Sequence, residues 1–212
     1  ERSISITGMV LNSVFLTNIA LGFNYSAPFA SHLWTIGVEE QFYLTWPWVV
    51  KKVVGKYLLQ TAIWIFVFVS LIKLLLHLYA DKNEFISALS FSWGYSKFNC
   101  ILTGVLIAVL MPKAANNSML VLTLYKYLCL KATQIINICL LTILFVLNVF
   151  NYIQVPQQIY ACLFAILILN MATNKQTIFQ LDNLWLNYIG KISFGIYMFH
   201  YMIAEILVRA SA

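Results

Sequence analysis

The chain has 212 residues, 62% of them hydrophobic and only 9% charged, with a mean hydropathy of +0.84. Soluble domains carry roughly 25% charged residues, so a soluble globular enzyme is excluded and an integral membrane protein is indicated. The net charge of +6 is what Lys and Arg gathered at cytoplasmic span ends produce, whereas nucleic-acid binding needs a basic soluble face that this chain lacks.

A membrane-spanning helix takes about 20 mostly apolar residues. The hydropathy pattern predicts about seven such segments, at 6–24, 35–50, 57–79, 97–112, 132–152, 157–173 and 187–208. No alternating ten-residue pattern suggests a β-barrel, and backbone groups in hydrocarbon must be satisfied within the segment. The expected fold is therefore all-α, a polytopic transmembrane helical bundle. It forms one membrane domain over 1–212 with no repeat, low-complexity segment or soluble domain. The start at Glu1 rather than Met points to a larger domain of which this is the C-terminal portion.

Basic residues place the loops. Arg2 precedes the first span; Lys51, Lys52 and Lys56 follow the second; Lys113, Lys126 and Lys131 lie between the fourth and fifth; Lys175 and Lys191 flank the connection to the last. By the positive-inside rule these ends are cytoplasmic. The loop at 24–34, the loop at 80–96 and the turn from Asn151 to Pro156 then face outward. Cys100, Cys129, Cys139 and Cys162 are scattered through apolar sequence and read as small apolar fillers, with neither a disulfide framework nor a metal site signalled.

The first stretch that carries chemistry is SHLWTIGVEEQFYLTWPWVV at 31–50, where Glu39 and Glu40 stand in an aromatic, apolar run. On a helix Glu39 and Tyr43 share a face with Thr35 and Trp46, while Glu40 projects about 100° away, beside Ile36, Leu44 and Pro47. Two readings stand. The acids cap the helix N-terminus, where the dipole favours negative charge, or Glu39 serves a site, since intramembrane acids are functional candidates. Pro47 suggests a kink, and Trp34, Trp46 and Trp48 suit interface anchors. His32 reads as a solvated loop residue, and His77 and Glu205 as interface residues. In the last span Ser193, Tyr197 and His200 form a polar stripe. That stripe either holds helices together or lines a substrate path.

The run Ser31-His32-Leu33-Trp34-Thr35-Ile36-Gly37-Val38-Glu39-Glu40-Gln41-Phe42-Tyr43-Leu44, followed by Trp46-Pro47, closely resembles the signature of the acyltransferase 3 family of membrane acyltransferases. Two further segments follow in the family's order. Ser96-Lys97-Phe98-Asn99-Cys100-Ile101-Leu102-Thr103-Gly104 is similar to its Arg-x-Asp-x-Leu-Leu-x-Gly segment, with Lys97 for the arginine and Asn99 for the aspartate. Gly190-Lys191-Ile192-Ser193-Phe194-Gly195-Ile196-Tyr197-Met198-Phe199-His200 is similar to its last conserved helix. Lys is not equivalent to Arg at a bidentate site, so the family's ion pair at the positions of Lys97 and Asn99 is expected to become an ordinary hydrogen bond.

The resemblance implies transfer of an acyl group, commonly acetyl, from cytoplasmic acyl-CoA as co-substrate to a hydroxyl of a cell-surface or lipid-linked glycan. It implies no bound cofactor or metal, and a multi-pass protein of a bacterial plasma membrane. The family's histidine lies upstream, and nothing before Glu39 supplies it here, so the isolated chain is expected to be inactive. Glu39 and His200 are the candidate catalytic residues; Trp34, Glu40, Tyr43, Lys97, Asn99, Ser193 and Tyr197 are the candidate substrate-binding residues. A carboxylate enclosed by Trp34, Phe42 and Tyr43 would be a stronger base than a solvated one. Lys51, Lys52 and Lys56 either grip the phosphates of acyl-CoA or serve as positive-inside anchors. The competing functions are a small transporter or flippase using Glu39 as a proton relay, and a catalytically inactive membrane homologue.

Overall fold

A computed structural model describes residues 5–25, 31–109, 111 and 119–210, without the side chains of Ser31, Lys56, Glu205 and Arg209. Arg2, Lys113, the middle of the loop at 24–34, and the side chains of Lys56 and Glu205 thus lie outside the described residues. The described residues are helical, with no strand: α1 Ile6–Ser13, α2 Thr17–Gly22, α3 Trp34–Lys52, α4 Leu58–Tyr79, α5 Glu84–Ser96, α6 Phe98–Val109, α7 Met119–Leu128, α8 Lys131–Val149, α9 Gln157–Thr173 and α10 Leu184–Ala210. Single 3-10 turns precede α3 and α4 and follow α4.

Among the described residues three helical stretches are long and apolar enough to cross a membrane: Leu58–Lys82, Lys131–Val149 and Leu184–Val208. They coincide with the expected spans at 57–79, 132–152 and 187–208. The expected span at 6–24 is not one helix. Phe15 adopts a left-handed backbone with φ 61°, which turns the chain between α1 and α2; a phenylalanine carries no sequence signal for that conformation. The loop expected at 80–96 is also corrected, because it folds as α5. Asn83 caps that helix, its side-chain oxygen accepting from the Phe85 N–H at 2.8 Å. The apolar helix α7 lies where only a loop was expected.

Side-chain distribution is that of a membrane protein. Among the described residues as many polar as apolar side chains are buried, including Asn18, Asn99, Gln134, Asn137 and Asn170. Large apolar side chains such as Trp64, Phe68 and Phe145 stand on the outside. Water-soluble folds show the reverse. In lipid, helix association relies on close packing and interhelical hydrogen bonds rather than on apolar burial.

The chain divides into two compact units. The first comprises Glu1–Pro47, Leu71–Lys97 and Leu181–Ala212. Its centre is Asn18, 3% exposed, whose amide donates to Ser96 Oγ at 2.8 Å while its oxygen accepts from Gln41 Nε2 at 3.0 Å. Gln41 Nε2 also donates to the Phe15 carbonyl at 2.8 Å, so the α1–α2 turn is tied to α3. Two glycines permit this packing. A Cβ on Gly37 would sit 2.7 Å from the Phe15 carbonyl oxygen, and one on Gly22 would sit 2.5 Å from that of Ala88, on α5.

The second unit comprises Trp48–Ser70 and Phe98–Gln180. In it α6 packs on α9, leaving an apolar groove of about 260 Å³ lined by Gly104, Ile107, Ala161 and Phe164. The α8–α9 hairpin is held by hydrogen bonds from Asn137 Nδ2 to the Leu163 carbonyl and from Tyr160 OH to the Leu144 carbonyl, both at 3.0 Å.

Candidate active site

The candidate site lies in the first unit, where the start of α3 meets α10. The chain enters α3 through a single 3-10 turn, Ser31–Leu33, which presents His32. The helix α10 carries Tyr197, His200 and Tyr201 at three- and four-residue spacing, so they share one face. Tyr197 OH donates to the His32 carbonyl at 2.5 Å and is hydrogen-bonded to Thr35 Oγ1. The His32 ring lies 5.4 Å from that of His200 in an edge-on arrangement, and stacks on Tyr201 at 5.1 Å.

Hydrogen bonding assigns the imidazole protons, because a carbonyl oxygen only accepts. His200 Nδ1 donates to the Tyr197 carbonyl at 2.6 Å. A neutral His200 ring therefore carries its lone pair on Nε2, and the side chain is exposed. His32 Nε2 donates to the Met198 carbonyl at 3.3 Å. Its Nδ1 is then a lone-pair nitrogen, buried and without a partner among the described residues. An unsatisfied buried acceptor costs about 1–3 kcal/mol.

His32 is half-buried in this cluster rather than a solvated loop residue, as the sequence suggested. The reason is tertiary: the 3-10 turn is pulled against α10 by Tyr197, 165 positions away. From the expected polar stripe, Tyr197 and His200 are brought together. Ser193 is exposed, and its hydroxyl donates to the Gly190 carbonyl of its own helix at 2.8 Å. His77 is exposed near the end of α4.

Glu39 is exposed, not enclosed by Trp34, Phe42 and Tyr43. The face of α3 that packs on the α1–α2 turn bears Gly37 and Gln41. At about 100° per residue, Glu39 falls on the opposite side of the helix. Phe42 stacks on Trp46 at 5.5 Å, Trp34 packs edge-on against Tyr95 at 5.3 Å, and Tyr43 is 60% exposed. Glu40 is half-buried. Neither acid is a helix cap, because α3 begins at Trp34 and no acid stands in its first turn. Glu39 instead follows Thr35 by four residues on one face of α3, about 6 Å along the axis from the Tyr197 contact.

Lys97 closes α5 in a left-handed conformation with φ 49° and is half-buried. Asn99, 8% exposed, donates to Ser70 Oγ at 2.5 Å. It therefore ties α6 to α4 inside the second unit, while Lys97 belongs to the first. Burial pushes the Cys129 thiol above its ordinary range, which disfavours the nucleophilic thiolate. Among the described residues no group of His, Cys, Asp and Glu is arranged to hold a metal.

A family model described as an acyltransferase domain matches residues 4–210. Neither a curated protein nor a solved structure matches the chain.

Proposed function

The chain belongs to the acyltransferase 3 family, and from that premise we propose that it is a multi-pass O-acyltransferase. Its acyl group, acetyl in the simplest case, passes from acyl-CoA to a hydroxyl of a cell-surface or lipid-linked glycan. The proposed setting is a bacterial plasma membrane, with about seven segments in the bilayer and no resident cofactor or metal. The observation that carries this reading is the imidazole pair: His200 holds its Nδ1 proton on a backbone carbonyl and leaves Nε2 as an exposed base.

In the proposed reaction the acceptor hydroxyl loses its proton to His200 Nε2 as its oxygen attacks the thioester carbonyl. The carbon–sulfur bond then breaks, and the proton passes to the departing thiolate. The Tyr197 bonds to the His32 carbonyl and Thr35 keep α10 in register with α3. Glu39, one turn beyond Thr35 on an open face with Tyr43, is suited to accept hydrogen bonds from sugar hydroxyls. A positioned general base contributes about 10²–10⁴-fold. In membranes containing the chain together with the N-terminal helices that the family resemblance places upstream, acceptor-dependent CoA release is expected to fall by that order in His200→Gln at unchanged expression. Unchanged release would remove His200 from the reaction.

A further inference from the structure

All seven carboxylate side chains of the protein lie in Glu1–Pro47, Leu71–Lys97 and Leu181–Ala212. The complementary unit, Trp48–Ser70 and Phe98–Gln180, contains seven lysines and no Asp or Glu. Within it Lys126, Lys131 and Lys175 line one open cavity of about 810 Å³ together with Tyr125, Asn174 and Gln176. The three lysines come from three segments: the last turn of α7, the first residue of α8 and the chain just past α9. All three are exposed, and no carboxylate lines the cavity.

A network of side-chain amides fixes this convergence. Asn170, 1% exposed, donates to the Leu128 carbonyl at 3.1 Å. Asn174 Nδ2 and Gln134 Nε2 both donate to the Cys129 carbonyl, at 2.9 and 3.1 Å. The Gln134 side-chain oxygen accepts from the Ile178 N–H at 2.9 Å, and that of Asn174 accepts from the Gln176 N–H at 2.9 Å. Carbonyls at the α7–α8 turn, which would otherwise repel an anion, are thereby engaged. The first turn of α8 has no side-chain cap, so its N–H groups add to the positive field. Positive-inside anchoring accounts for lysines at span ends. It does not account for three of them around one cavity braced by buried amides.

We propose that this cavity is a binding site for a phosphate group, held between Lys126, Lys131 and Lys175. The phosphate belongs either to a soluble polyphosphate or to the headgroup of an anionic lipid. The site is independent of the acyl-transfer reading. It is tested on the purified protein in uncharged detergent with two probes: pyrophosphate by calorimetry, and phosphatidylglycerol against phosphatidylcholine by native mass spectrometry. The wild type is expected to bind pyrophosphate or to retain phosphatidylglycerol preferentially. Pyrophosphate binding alone assigns the soluble source, and lipid retention alone assigns the headgroup. The triple variant Lys126→Gln, Lys131→Gln, Lys175→Gln is expected to lose roughly tenfold or more in the affinity observed. The corresponding triple Lys→Arg variant and Lys51→Gln with Lys52→Gln are expected to keep it. Failure of the wild type to bind either probe overturns the proposal without any variant. Equal binding by the wild type and the triple Gln variant, with helical circular dichroism intact, overturns it as well.

Discussion

At the scale of single residues, His32 and Glu39 make opposite demands on the fold. His32 keeps a buried ring nitrogen without a partner among the described residues, at a cost of about 1–3 kcal/mol. His32→Phe keeps a ring to stack on Tyr201 and removes that acceptor, so stability is expected to stay within about 1 kcal/mol of wild type. If His32 serves the acceptor hydroxyl or its proton, CoA release falls at least tenfold in the same variant. Thermal unfolding and activity measured on one preparation separate the two roles. Glu39 is exposed on the face that begins at Thr35. Glu39→Gln is expected to abolish transfer at normal expression, and Glu40→Gln to reduce it mildly. Equal, mild losses in both would leave Glu39 without a part in the reaction.

At the scale of elements, the first unit depends on close approach between α2 and α5. Gly22 leaves no room for a side chain: a Cβ there would lie 1.9 Å from Ser92 Oγ and 2.5 Å from the Ala88 carbonyl oxygen. The backbone oxygen cannot swing away, so Gly22→Ala must separate the helices. A loss of about 1–3 kcal/mol is expected, the range for overpacking, and denaturant unfolding in detergent measures it. Asn18 bridges α3 and α5 from α2 through Gln41 and Ser96. Its removal takes one hydrogen bond from each partner, although Gln41 keeps the Phe15 carbonyl and Ser96 the Ser92 carbonyl, and Asn18→Ala is expected to cost about 1–3 kcal/mol. The two substitutions are neighbours, so their effects should not add.

At the scale of the whole molecule, charge segregation and apolar surface together define an orientation to be tested. The Lys51–Lys52 end of α3 and the Lys131 end of α8 are expected to be cytoplasmic, and the turn at Asn151–Pro156 extracytoplasmic. In a background with the four cysteines replaced, a cysteine at position 154 should react with an impermeant maleimide in intact cells. One at position 54 should react only after lysis. The reverse pattern would overturn the orientation expected from the lysines.

Composition alone identified a membrane protein, because 9% charged residues cannot cover a soluble domain. Apolar runs located α4, α8 and α10 closely, since hydropathy reports a segment's own need for lipid. The Trp34–Tyr43 run and the Gly190–His200 run carried the family, which the match over 4–210 bears out. What the sequence left undecided were features made by contacts between distant positions. Phe15 turns the chain inside an apolar run, and α5 forms where the span pattern predicted a loop. His32 is drawn onto α10 by Tyr197, which no local pattern announces. Glu39 lies outside because Gly37 and Gln41 claim the packed face of its helix. Periodicity determines which residues share a face, but only the neighbour that packs against a helix decides which face is buried.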